Sequence, residues 1–160
     1  MVVVLLMSIV AVSVIPSLGN VQLMRDGAAR DDAMRLLELA KARAMATGLP
    51  NGVSVDLSDS SLTLVQVTDA GQIETVIDPL TYQSRTIELP IAYSGVTVAS
   101  MINGDGVGGS GVIWFDYEAN PHTRESNGDF AQLNDEPSRI ELSSLESVIV
   151  HAYTGVIESQ

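Results

Sequence analysis

The sequence predicts an α+β fold: a long N-terminal α-helix, apolar and then amphipathic, followed by an antiparallel β-sandwich or open β-sheet domain. The first fifteen residues are almost entirely aliphatic. From Val21 to Thr47 the apolar residues recur at threes and fours, and after Pro50 the period drops to two. This change of period divides the 160 residues into a helical segment, 1–47, and a β-domain, 48–160.

Met1 to Ile15 is interrupted only by Ser8 and Ser13, and no charge appears before Arg25. As a helix, fifteen residues reach roughly 22 Å at about 1.5 Å per residue, whereas a bilayer core is about 30 Å thick. Three readings compete. A signal peptide needs a basic n-region and a small-residue cleavage site, and Val14-Ile15-Pro16 is a poor match. A buried element of a soluble core is the second, although so apolar an N-terminus is unusual there. The third, which we adopt as the expectation, is a membrane helix whose beginning lies upstream of Met1.

Pro16 can kink a helix or begin a new one. Beyond it, Ala29, Ala33, Leu36, Leu37, Ala40 and Ala44 line one face, while Arg35, Glu38, Lys41 and Arg43 fall mostly elsewhere. Gly48 followed by Pro50 is a stop signal.

Strand expectations follow. Val53, Val55 and Leu57 alternate with polar residues, Ser58 to Ser61 turns the chain, and Leu62 to Thr68 returns. Asp69-Ala70-Gly71 leads into Ile73 to Ile77, which Asp78-Pro79 ends. Further strands are expected at Thr86 to Leu89, Val96 to Met101, Val112 to Phe115, Arg139 to Leu142, Val148 to Ala152 and Val156 to Glu158. Adjacent Trp114 and Phe115 should face opposite sides of their sheet. Tyr117 to Ser138, polar and acidic, reads as an exposed loop.

Composition narrows the function classes. There is no cysteine, hence no disulfide and no thiolate metal site. The net charge of −12 is unevenly spread: three basic residues face sixteen acidic ones from Gly48 onward. Such a body repels nucleic-acid phosphates and anionic lipid headgroups. No catalytic, cofactor-binding or metal-binding residues are assigned, and no cofactor is expected. His122 falls in the expected loop and His151 in an expected strand, without the ligand spacing of a zinc site. Gly108 to Val112 lacks the second glycine of a nucleophile elbow, and there is no phosphate loop or dinucleotide fingerprint. Asn103 to Gly111 has the oxygen donors and glycines of a tight calcium loop but lacks the closing acids of an EF-hand, so it reads as a flexible connection. The acidic stretch from Asp116 to Glu136 reads first as a solvated loop, with partner docking or cation binding as the alternatives.

The order of these segments resembles the type IV pilin and pseudopilin superfamily. Met1 to Pro16 looks like the hydrophobic stretch that follows the prepilin peptidase site. The Gly-Phe-Thr-Leu-(Ile/Val)-Glu signature of that site is absent, and Met1 sits where an internal methionine just after its glutamate would be, which implies a start upstream. Leu36 to Pro50, followed by Val53-Ser-Val-Asp56, resembles the GspH/FimT group of minor pseudopilins, as do Leu89-Pro90, Gly95-Val96-Thr97-Val98 and Gly111 to Asp116. The resemblance implies a structural minor pseudopilin of a type II secretion system, not an enzyme. It also implies a single-pass inner-membrane protein with its C-terminal domain in the periplasm, processed by prepilin peptidase and assembled with major and minor pseudopilins for protein export. Secreted cargo is a further implied partner. One alternative is a FimT-like minor type IV pilin acting in pilus biogenesis or DNA uptake, for which Arg85, Arg124 and Arg139 alone supply charge beyond the helix. The other is a membrane-tethered β-sandwich that binds a ligand.

Overall fold

The computed structural model describes residues 21–160 with their side chains and residues 2–20 as helical backbone alone. The Met1 to Ile15 segment, expected to be a membrane helix, therefore lies outside the residues described with side chains. Among the described residues no helix is long and apolar enough to cross a membrane.

Helix α1 (Val2–Thr47) is followed by β1 (Asn51–Asp56), β2 (Ser61–Val67), β3 (Ile73–Thr75), β4 (Thr86–Glu88) and the short helix α2 (Leu89–Ala92). Strands β5 (Val98–Ile102), β6 (Gly111–Phe115), β7 (Pro121–Arg124), β8 (Phe130–Leu133), β9 (Ser138–Leu142), β10 (Ser147–Val150) and β11 (Ile157–Ser159) complete the chain. The α+β architecture read from the sequence is the one observed.

The helix owes its position to the residues that the periodicity singled out. Ala29, Ala33, Leu36, Leu37, Ala40 and Ala44 are all buried in the main core. Alanines bring the helix backbone close to the strands, and the leucines fill the space between. Each buried leucine contributes about 1.5–3 kcal/mol of apolar burial. The stop is where the glycine sits: Gly48 takes φ +72 and its N–H donates to the Ala44 carbonyl at 3.0 Å. Only glycine adopts that left-handed conformation without a Cβ penalty.

All strand pairings are antiparallel, in two sheets. The larger runs β3-β2-β1-β6-β7-β8, with β4 also pairing to β2; the smaller runs β11-β10-β9-β5. Their inner faces share one core with α1. Val53 and Val55 from β1, Leu62 and Leu64 from β2, and Ile113 and Phe115 from β6 meet Val98, Met101, Ile140, Leu142, Val148, Val150 and Ile157 from the smaller sheet.

The larger sheet also buries part of its other face. Val65, Val67 and Trp114 form a second, small cluster with Val112 against it. Phe115 belongs to the main core, so the expected opposition of Trp114 and Phe115 holds. The sheet curls until its ends touch. The β7–β8 turn rests on the β2–β3 turn so closely that a Cβ on Gly128 would lie 2.3 Å from the Gly71 carbonyl oxygen.

The stretch from Tyr117 to Ser138 is not the exposed loop the sequence suggested. It holds β7 and β8, and Pro121, His122 and Thr123 are buried. Polarity misled because β7 buries a histidine and a threonine beside Pro121, made tolerable by hydrogen bonds that no local pattern announces. His151 also differs: β10 ends at Val150, so the histidine follows the strand.

Candidate functional site

The chemical candidates do not converge. His122 is fully buried on β7. Arg124 donates from Nε to His122 Nε2 at 2.9 Å, and His122 Nδ1 lies 3.4 Å from the Asn120 carbonyl oxygen. The imidazole therefore carries its proton on Nδ1 and is neutral. Burial, reinforced by the neighbouring guanidinium, pulls its pKa down to about 4. Arg124 in turn donates to the Gly128 carbonyl, and its guanidinium stands 6.0 Å over the Trp114 ring. This assembly holds the sheet's curl; it offers no substrate-facing acid, base or nucleophile. His151 lies elsewhere, 2.7 Å from Glu158 Oε1.

Among the described residues no group of three or more His, Asp or Glu side chains is placed to hold a metal. In the glycine-rich loop, Asp105 accepts the Val107 N–H at 2.9 Å, and Asn103 accepts the Gly104 N–H at 2.9 Å. Those oxygens shape a turn. In the acidic stretch Asp116 does the same, accepting the N–H groups of Glu118 and Asn120, each at 2.8 Å.

The arginines beyond the helix are engaged within the chain. Arg85 pairs with Asp78 at 3.4 Å and Arg139 with Glu141 at 3.1 Å; Arg124 is held as described. The same Asp78 carboxylate accepts the Leu80 N–H, which lowers its pKa first, with Arg85 adding to the effect. An array of free cations that could track phosphates is not what these side chains form.

What the fold does build is a surface organised around α1. Polar side chains along the helix fasten it to the β-domain, among them Arg43, 3.4 Å from both Asn51 and Gln66. Arg30 reaches Glu146 in the β9–β10 turn at 2.7 Å, Tyr93 donates its hydroxyl to Asp32, and Lys41 donates to the Gly155 carbonyl at 2.8 Å. Partial burial and the Asp32 carboxylate push the Tyr93 phenol up to about 12. N-terminal to Asp26, which is itself buried, the packing stops among the described residues: Val21, Leu23 and Met24 are 43%, 68% and 75% exposed. An apolar helix flank without cover from its own domain is the geometry of an element that packs elsewhere.

No protein-family model matches the chain, and no curated protein matches it. Solved structures do. A structure of the minor pseudopilin EpsH from the type 2 secretion system of Vibrio cholerae aligns with TM-score 0.54 at 15% identity, over 84% of this chain and 94% of that one. A crystal structure of the same minor pseudopilin aligns with TM-score 0.50 at 18% identity, over 82% and 89%. The fold is pseudopilin-like. At such identities the likeness is one of architecture, and it extends over more than four fifths of this chain. The helix fastenings and the Arg124–His122–Trp114 assembly escaped the sequence reading; the one usable signal was the two-residue spacing of His122 and Arg124.

Proposed function

We propose that this chain is a structural minor pseudopilin of a type II secretion machine, not an enzyme. In this reading α1 anchors it as a single-pass inner-membrane protein. The β-domain lies in the periplasm, and prepilin peptidase processes and methylates the N-terminus. Packing of α1 against the helices of other pseudopilins then builds a pseudopilus for protein export. The observation that carries the reading is the pseudopilin-like fold with its helix flank at Val21, Leu23 and Met24 left exposed by the β-domain. Packing between neighbouring helices replaces lipid or water on such a flank.

The test is a photo-crosslinking residue at Leu23 of the full-length protein in its native membrane. Adducts to other pseudopilin subunits, identified by mass, are the expected outcome. Adducts to lipid alone would overturn the assembly role and leave a tethered ligand-binding domain. A place in DNA uptake finds no support in Arg85, Arg124 and Arg139, each of which is engaged within the chain.

A further inference from the structure

The larger sheet ends on β8, and that edge is open. All four residues of Phe130–Leu133 are exposed. On its inner side the strand pairs with β7, Gln132 opposite Thr123 and Leu133 opposite His122. Asn134 donates its N–H to the Pro121 carbonyl at 3.2 Å, so residues 132 and 134 point toward β7. In an antiparallel ladder the residue between them points away. Leu133 thus presents its N–H and C=O outward. Natural edges are blunted by lysine, proline, a covering loop or extreme shortness. The edge at β5 has such a cover: the 103–109 loop folds back on it, Gly109 donating to the Met101 carbonyl at 3.1 Å. Strand β8 contains neither a charged residue nor a proline.

Its side chains point to the same conclusion. A register shift between Thr123 and Arg124 sets Phe130 opposite Arg124 and Leu133 opposite His122, which turns both apolar side chains to one face. Phe130 and Leu133 are 56% and 46% exposed there, and the Phe130 ring centroid lies 5.6 Å from that of His122. The surrounding chain is acidic: between Asp116 and Glu136 six carboxylates face one arginine, and that arginine is engaged within the curl.

We propose that the β8 edge is a docking site for an extended, lysine- or arginine-bearing segment of a partner protein, which joins the larger sheet as a further strand. The unpaired backbone groups call for an extended chain, Phe130 and Leu133 for apolar side chains at alternate positions, and the flanking carboxylates for positive charge. A second copy of this chain is a poor occupant, because it brings the same acidic flanks. The proposal stands on the sheet edge and does not depend on the assembly role.

The experiment titrates the full-length protein, in detergent, with a fluorescent peptide of alternating valine and threonine flanked by lysines. The expected result is saturable binding. It should weaken about tenfold or more when alternate peptide nitrogens are methylated, because lost interstrand hydrogen bonds are the difference. Leu133→Pro, which removes an outward N–H and no bond to β7, should weaken it comparably, and a glutamate-flanked peptide should not bind. Equal binding of the methylated peptide would reduce the contact to charge attraction and overturn strand addition. Absence of saturable binding, or equal binding of the glutamate-flanked peptide, would overturn the site or its charge preference. The methylated peptide leaves the protein unaltered, so a folding defect in Leu133→Pro cannot decide the matter.

Discussion

The two faces of the larger sheet are buried by different means. Toward α1, Val53, Val55, Leu62, Leu64, Ile113 and Phe115 meet a helix stripe of alanine and leucine in one apolar cluster. On the opposite face, Val65, Val67 and Trp114 are closed in by the sheet's own curl. There an arginine lies over the indole and a buried neutral histidine backs it. The first core needs a second element brought from elsewhere in the chain; the second needs only that two turns meet. A core walled by a separate helix should fail wholesale when the helix goes. One closed by a turn should open locally, and one holding a histidine should feel pH.

Removing the helix is the strongest test of that contrast. A chain beginning at Pro50 loses Ala29, Ala33, Leu36, Leu37, Ala40 and Ala44 from the main core. It should show no cooperative urea transition, whereas a chain beginning at Val21 should retain one. Cooperative unfolding of the Pro50 chain would mean that the sheets need no helix wall.

A smaller effect is expected at the turn. Gly128 takes φ +90 and abuts the Gly71 carbonyl, so Gly128→Ala adds both backbone strain and a clash, costing about 1–3 kcal/mol. Trp114 is the sole tryptophan, so its emission reads the small core directly. It should shift to the red in the variant while the helical circular dichroism stays unchanged. Parallel loss of both signals would show the two cores to be one cooperative unit.

The finest test uses the histidine. Folding lowers the His122 pKa from 6.5 to about 4, so the unfolded chain takes up the proton first. This contribution to stability is complete above the unfolded value and is lost as pH falls from there toward the folded one. Between pH 7 and pH 5 the natural protein should lose about 1–2 kcal/mol more than His122→Gln, judged from urea midpoints. Identical pH profiles would place His122 in contact with water.

Much of this architecture was legible in the residue order because it rests on short-range regularities. The buried helix stripe follows from a period of 3.6, the helix end from Gly48, and the opposition of Trp114 and Phe115 from the pleat of a strand. The resemblance to minor pseudopilins in the order of segments likewise anticipated the pseudopilin-like fold. What the residue order did not disclose lies where partners are distant in the chain. Residues 121–124 form a strand because β6 stands beside them, and 130–133 because β7 does; the polar residues of the first and the shortness of the second hid both from any alternation rule. His122 is buried and neutral because Arg124 and the curl of the sheet enclose it. The open β8 edge exists because the sheet ends there with no element laid across it among the described residues. Periodicity reports which face of an element is apolar. Which elements become neighbours, and which edge is left without one, follows from long-range packing that no local window contains.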